Sequence, residues 1–172
     1  PIVDRLVPML VLLAVAFAGI FLPAASLIQE KVNKTADAVL STPLQVSEFL
    51  AAKGAIGFVL SFGVGVLTLI LNGGFTSYVA GNIAAIATGA LMSVAIGLLL
   101  GSAIGNIQTM FAVWKSGGII LFAPAVLFMF PEMPGWIPRL FPTYYFLGPL
   151  YEMTVNATSF SAVYGDLIIG VV

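Results

Sequence analysis

The stretch "GAIGFVLSFGVGVLTLILNGGFTSYVAGNIAAIATGALMSVAIGLLLGSAIGNIQTMFAVW", Gly54 to Trp114, runs for 61 residues without a charged side chain. A helix needs ~20 mostly apolar residues to cross the hydrocarbon core of a bilayer. The stretch is therefore too long for one crossing and long enough for two. "NGGFTSYVAGN", Asn72–Asn82, supplies the turn between them. Working outward, Leu6–Gln29 is a second uncharged run of 24 residues, Ser116–Pro131 a third, extended upstream by Met110–Trp114, and another begins near Phe160. Whole-chain composition agrees: 60% of the 172 residues are hydrophobic, 8% are charged, and mean hydropathy is +1.13. Soluble domains carry about 25% charged residues, so the bilayer is the expected solvent. Backbone groups in lipid must pair within their own segment, which makes the runs helices.

The expected fold class is all-α, a polytopic helical membrane protein forming a single transmembrane domain. Its spans are expected at about 6–29, 54–72, 82–105 and 110–131, with a partial one at 160–172. Lysines orient it. Lys31, Lys34 and Lys53 lie in the loop 30–53 and Lys115 in the next connection on that side, against Arg5 and Arg139 opposite. The loop is thus expected to be cytoplasmic, and Asn72–Asn82 and Pro131–Ser159 to be outside.

Composition also excludes chemistry. The chain has no Cys and no His, which removes disulfides, thiolate nucleophiles, the usual zinc sites and His-based acid–base catalysis. The near balance of six basic and seven acidic residues shows no bias toward nucleic acid. None of the four lysines sits in a G-x-x-x-x-G-K-[ST] context, so no P-loop holds nucleotide phosphates here.

Within the second half of the long run, Gly81, Ala85, Gly89, Ser93, Gly97, Gly101 and Gly105 are small and spaced by four. Small residues at that spacing let a neighbouring helix approach closely. The stripe, with Gly89, Ser93, Gly97, Gly101 and Gly105 at its centre, reads first as packing within one bundle, and alternatively as a subunit interface or the wall of a conduit. The segment 131–151 carries Pro131, Pro134, Pro138, Pro142 and Pro149 among Trp136, Phe141, Tyr144, Tyr145, Phe146 and Tyr151. Proline stops long helices, and Tyr and Trp favour the membrane–water interface. One or two short helices lying in the outer interface or dipping into it are expected, as an anchoring belt or as a gate. Asn156-Ala157-Thr158 has the form of a glycosylation sequon. Asp166, inside the last apolar run, is either an intramembrane functional carboxylate or one solvated at the outer interface.

The loop 30–53 divides at Pro43. Thr42 as N-cap, Pro43 at the first helical position and Gln45 three residues after the cap compose a capping box. A short helix bearing Val46, Phe49 and Leu50 on one face is expected to follow and to turn into the second span. Upstream, Thr35–Ser41 forms a second short amphipathic element with Ala36, Val39 and Leu40 apolar and Asp37 in its first turn. The pair reads first, from physics alone, as lipid-surface elements, and alternatively as a docking knob for a soluble partner.

"QEKVNKTADAVLSTPLQVSEFLAAK", Gln29–Lys53, resembles the signature of type-2 ATP-binding-cassette (ABC) exporter permeases, through Glu30-Lys31, Thr35, Asp37, Leu40, Thr42-Pro43, Phe49-Leu50 and Lys53. "PEMPGWIPRLFPTYYFLGPL", Pro131–Leu150, is similar to that family's outer element before its last span. The chain departs from the pattern at Lys34, where the family often has Gly. The resemblance implies a six-span permease with the first span preceding this sequence and the last running beyond it. It implies that Thr35–Ser41 is the coupling helix, that Glu30, Lys31, Thr35, Asp37, Val39, Leu40, Thr42 and Pro43 form the ATPase-coupling set, and that the permease works as a dimer on two ATPases. ATP and Mg would then bind the partner ATPase, and this chain would carry no cofactor, metal or catalytic residue. The expected function is ATP-driven export of an amphipathic or hydrophobic molecule from a bacterial or archaeal cytoplasm. An ion-gradient transporter or a structural membrane subunit are the competing readings; no internal repeat or paired intramembrane carboxylate supports the former.

Overall fold

The computed structural model describes residues 2–35, 41, 43, 45–73, 78–129, 134 and 136–171. These are helical, with no strand among them. Helix α1 (Ile2–Ala16) passes through a π-helical turn (Phe17–Phe21) into α2 (Leu22–Val32). Then come α3 (Val46–Leu71), α4 (Val79–Ala103), α5 (Ile107–Met129), a 3-10 turn (Pro138–Leu140), α6 (Tyr144–Thr154) and α7 (Phe160–Val171). Four helical stretches are long and apolar enough to span a bilayer: Leu6–Val32, Val46–Leu71, Val79–Ala103 and Ile107–Val126. Their outward faces expose large apolar side chains, among them Val59, Leu67, Leu71, Leu99 and Ile119. Soluble monomers rarely show apolar patches of that extent; in a bilayer this is the lipid-facing surface.

The ends follow from local chemistry. Pro23 has no N–H and its ring crowds the carbonyl four residues back, at Gly19; the π turn sits over that position and widens the helix there. Helix α3 starts later than the Thr42–Pro43–Gln45 capping box would have it. Gln45 is extended and stands before the first helical residue, and its backbone N–H donates to the Glu48 carboxylate at 3.0 Å. An extended Gln45 cannot be the third residue of a helix, and an anion at Glu48 suits the helix N-terminus better than the neutral alternative. Pro43 lies in an exposed bend, and Thr42 is outside the described residues. The anticipated surface helix and the second span are one unbroken helix from Val46. At its far end Asn72 Nδ2 donates to the Thr68 carbonyl at 2.8 Å, and Gly73 takes φ +63° to leave the helix. Helix α5 is started by Asn106, whose Oδ1 accepts the Thr109 N–H at 2.7 Å.

Helix α4 is the central post, packed on α1, the π turn, α2, α3, α6 and α7. Its neighbours map depth along it. Gly81 faces Met153 and Phe160, Gly89 faces Phe146, Ser93 meets Gly19, and Gly101 meets Ala24. Helix α6 therefore begins roughly 15 Å inside the end where α4 starts, at 1.5 Å per residue, and climbs back out to Met153. The described segment before α6, residues 136–143, dips to mid-height of α5. It is pinned by Thr143, whose buried hydroxyl donates to the Leu121 carbonyl at mid-height of α5 at 2.7 Å. Phe128 stacks on both Tyr144 and Tyr151, with centroids 6.0 and 4.7 Å apart, and closes the hairpin.

Candidate functional site

At the lysine-rich end the two arms of the loop 30–53 are joined at their base. The Lys53 ammonium on α3 forms an ion pair with Glu30 on α2 and donates to Ser26 Oγ at 2.9 Å. It also stands over the Phe49 ring, 5.8 Å from its centroid. The pair is partly shielded, with side-chain exposures of 21% and 26%, so solvent screens it less than a surface pair. One turn deeper Gly57 lies against Pro23 so closely that a Cβ there would collide with the ring. Positions 23, 26 and 30 on α2 and 53 and 57 on α3 thus form one seam.

Lys31 points the other way. Its ammonium donates to the carbonyls of Gly101, at 2.7 Å, and of Ser102, with Ile104 at 3.5 Å. These are C-terminal carbonyls of α4 that lack a partner within the helix, and α4 has no basic residue in its own last turn. The charge that complements the negative end of its dipole comes from a residue 70 positions away in sequence. Beyond it, Lys34 holds φ +56°, the left-handed conformation that ends α2 and in which glycine is least strained. Glycine, which the resembled pattern has here, would adopt that conformation without strain. Thr35 Oγ1 donates to the Glu30 carbonyl at 3.2 Å. Asp37, Val39, Leu40 and Thr42, with most of the proposed coupling helix Thr35–Ser41, lie outside the described residues.

The small residues of α4 contact their own chain. A Cβ on Gly97 would stand 2.6 Å from the Ile20 carbonyl oxygen, and one on Gly101 2.7 Å from Ala24 Cα. Ser93 is buried against Gly19, and Gly89 against the Phe146 ring. Gly105, just past the helix, has open space around it. A second small stripe, Gly57, Ser61 and Gly65 on α3, is buried too. Ser61 Oγ donates to the Val15 carbonyl at 2.8 Å, just before the π turn. Its spacing of four was the available signal in sequence.

Asp166 is half-buried in the second turn of α7. Arg139 lies beside Tyr144 and within electrostatic reach of Asp166; the Tyr144 hydroxyl first, and Asp166 behind it, hold the guanidinium above its ordinary value. The sequon is occupied structurally: Glu152 accepts hydrogen bonds from Asn156 Nδ2 at 2.9 Å and Thr158 Oγ1 at 3.0 Å, and Ala157 between them has φ +51°. Glu152 thereby organises the α6–α7 turn, a role nothing in its sequence context announces.

Two apolar grooves flank the dip before α6. One, of 520 Å³, runs between α5 and the 3-10 turn with Gly118, Ile119, Phe122, Ile137 and Phe141 on its walls. The other, of 680 Å³, lies between α4, Pro142, Tyr145 and the end of α7. Among the described residues no group of three or more acidic side chains could hold a metal ion.

A family described as "Fluoroquinolones export permease protein Rv2686c-like" matches residues 2–172. No curated protein and no solved structure matches the sequence.

Proposed function

Because the chain belongs to the Rv2686c-like family of fluoroquinolones export permeases, we propose that this integral membrane permease is driven by ATP through a separate ATPase subunit docked on the loop 30–53. The observation that carries the reading is the construction of that loop's base. Its two arms are tied by Lys53, Glu30 and Ser26, and Lys31 ties it to the central helix. A lipid-surface element needs no such anchorage; a lever does. The resemblance of Gln29–Lys53 to the type-2 ABC pattern supports the same partner, with Val39 and Leu40 as the apolar contact and a second permease subunit beside this one. ATP and Mg belong to that ATPase. The lysine-rich end then faces the cytoplasm.

The substrate class follows the family description and the grooves: an amphipathic, aromatic small molecule. The 520 Å³ groove is in the range of drug-sized sites, and Phe122 and Phe141 offer ring faces for stacking.

The test is co-purification of the tagged, full-length protein from gently solubilised membranes. A P-loop ATPase is expected in equal amount, and Leu40→Asp is expected to reduce it at least tenfold while membrane insertion persists. Fluoroquinolone uptake into inverted vesicles that tracks an ion gradient and ignores ATP would overturn the reading.

A further inference from the structure

We infer that Lys31 is a positioning residue that transmits movement of the loop 30–53 to helix α4, with the Lys53–Glu30 clasp holding the loop's two arms as one body. The inference rests on the ATPase-driven reading above and goes beyond it, because it assigns Lys31 to the inside of the machine and not to the docking surface.

Three features place Lys31 in that role. First, its ammonium is spent on α4: it bridges the carbonyls of Gly101, Ser102 and Ile104. An ammonium has three donors and no acceptor, so these contacts use its capacity. Second, the link continues a rigid seam. On the same side of α2, the Ala24 backbone and the Leu27 side chain lie so close to Gly101 that a Cβ there would meet both, and in a close-packed interior such contacts pass displacement on without slack. Third, the arms of the loop cannot move independently. Glu30, next to Lys31, is held by Lys53 across the loop, and Thr35 is bonded back to the Glu30 carbonyl. A pull on the loop therefore reaches residues 30 and 31 from both sides. At its far end the same link reaches Ile104, the C-cap of α4, two residues before Asn106, which starts α5.

The arrangement also makes chemical sense as a transmission contact. Carbonyls at a helix C-terminus carry the negative end of the helix dipole, so an ammonium attracts the whole helix end and follows it through small rotations. A neutral side chain of equal length fills the space without that pull.

The chain has no cysteine, so introduced pairs report cleanly. Nitroxides at Leu99→Cys on α4 and Ile120→Cys on α5, both exposed, give their separation in the purified permease–ATPase complex. Trapping with ATP and vanadate is expected to shift that distance by several ångström. Lys31→Met is expected to abolish the shift while the ATPase stays bound in equal amount, and Lys31→Arg to restore it. In liposomes, ATP hydrolysed per fluoroquinolone moved should rise at least fivefold in Lys31→Met, with little change in the ATPase KM for ATP. A full shift in Lys31→Met, or no shift in the parent complex, overturns the inference alone. Failure of any ATPase to co-purify with the parent overturns the proposed function and this inference with it. Should Lys31→Met not reach the membrane, Lys53→Met opens the clasp instead and carries the same expectation and the same overturning result.

Discussion

At the scale of single residues, two non-glycine positions among the described residues sit in the left-handed region, Lys34 at φ +56° and Ala157 at φ +51°. Each costs about 1–2 kcal/mol relative to glycine. Lys34→Gly is therefore expected to raise stability in detergent by about 1 kcal/mol, read as a higher midpoint of thermal or SDS unfolding, and to leave ATPase binding unchanged. The identity of Lys34 was visible in sequence as a departure from a resembled pattern; the dihedral angle that gives the departure meaning was not. Lys31 shows the same limit more sharply. As half of an acidic–basic pair it reads as a docking residue, and only the approach of α2 to the end of α4 shows that its partners are carbonyls 70 residues on. Glu48 is the converse case. Glu three residues after Gln45 was a readable cap, but Thr42-Pro43 offered a competing one, and choosing between them needed the backbone of Gln45.

At the scale of elements, the four-residue repeat along α4 decides more than its composition. Positions four apart advance 400° on a helix of 3.6 residues per turn, so the row drifts by ~40° at each step. From Gly81 to Gly101 that is ~200°. The small residues thus form a spiral and not one face, and each level meets a different neighbour: Met153, Phe146, Gly19, Ala24. The sequence reading treated them as a single stripe, and the drift is why α4 became the central post. Lipid gives helices no hydrophobic reason to associate, so close packing carries the bundle. Gly97→Val pushes a side chain into the Ile20 carbonyl and is expected to cost at least about 3 kcal/mol, seen as loss of folded protein on gel filtration; Gly105→Val, in open space, is expected to be silent. The dip before α6 is tied to α5 by the Thr143 hydroxyl and by the stacking of Phe128 on Tyr144. Thr143→Val removes the bond to Leu121 at a cost of about 1 kcal/mol and should quicken proteolysis near Arg139 without changing the yield of folded protein.

At the scale of the whole molecule, the polytopic all-helical architecture was legible from the charge-free runs, because the bilayer imposes length and polarity together. The pairing of helices was not, since nearly every face is apolar and only small-residue spacing distinguishes inside from outside. Sidedness is testable directly in a chain without cysteine. Asn72→Cys is expected to react with an impermeant maleimide in intact cells, and Ser47→Cys only after permeabilisation; the reverse pattern would invert the orientation that the lysines imply.

The π turn at Phe17–Phe21 has a consequence for the length of the chain. Buried positions in the first span come in pairs, 7 and 8, 11 and 12, 15 and 16, then 23 and 24, 27 and 28, with 18, 19 and 20 buried together in the π turn between them. A four-residue beat outruns a plain α-helix, and the wider turn takes up the surplus like a leap day in a calendar. Deleting one residue there, Ala18 for instance, would turn everything before it by ~100°, carrying Leu12 and Ala16 off the core and Leu10 into it. Phe17, half exposed, tolerates exchange for Leu by the same argument. The stretch can change its letters; it cannot lose a count.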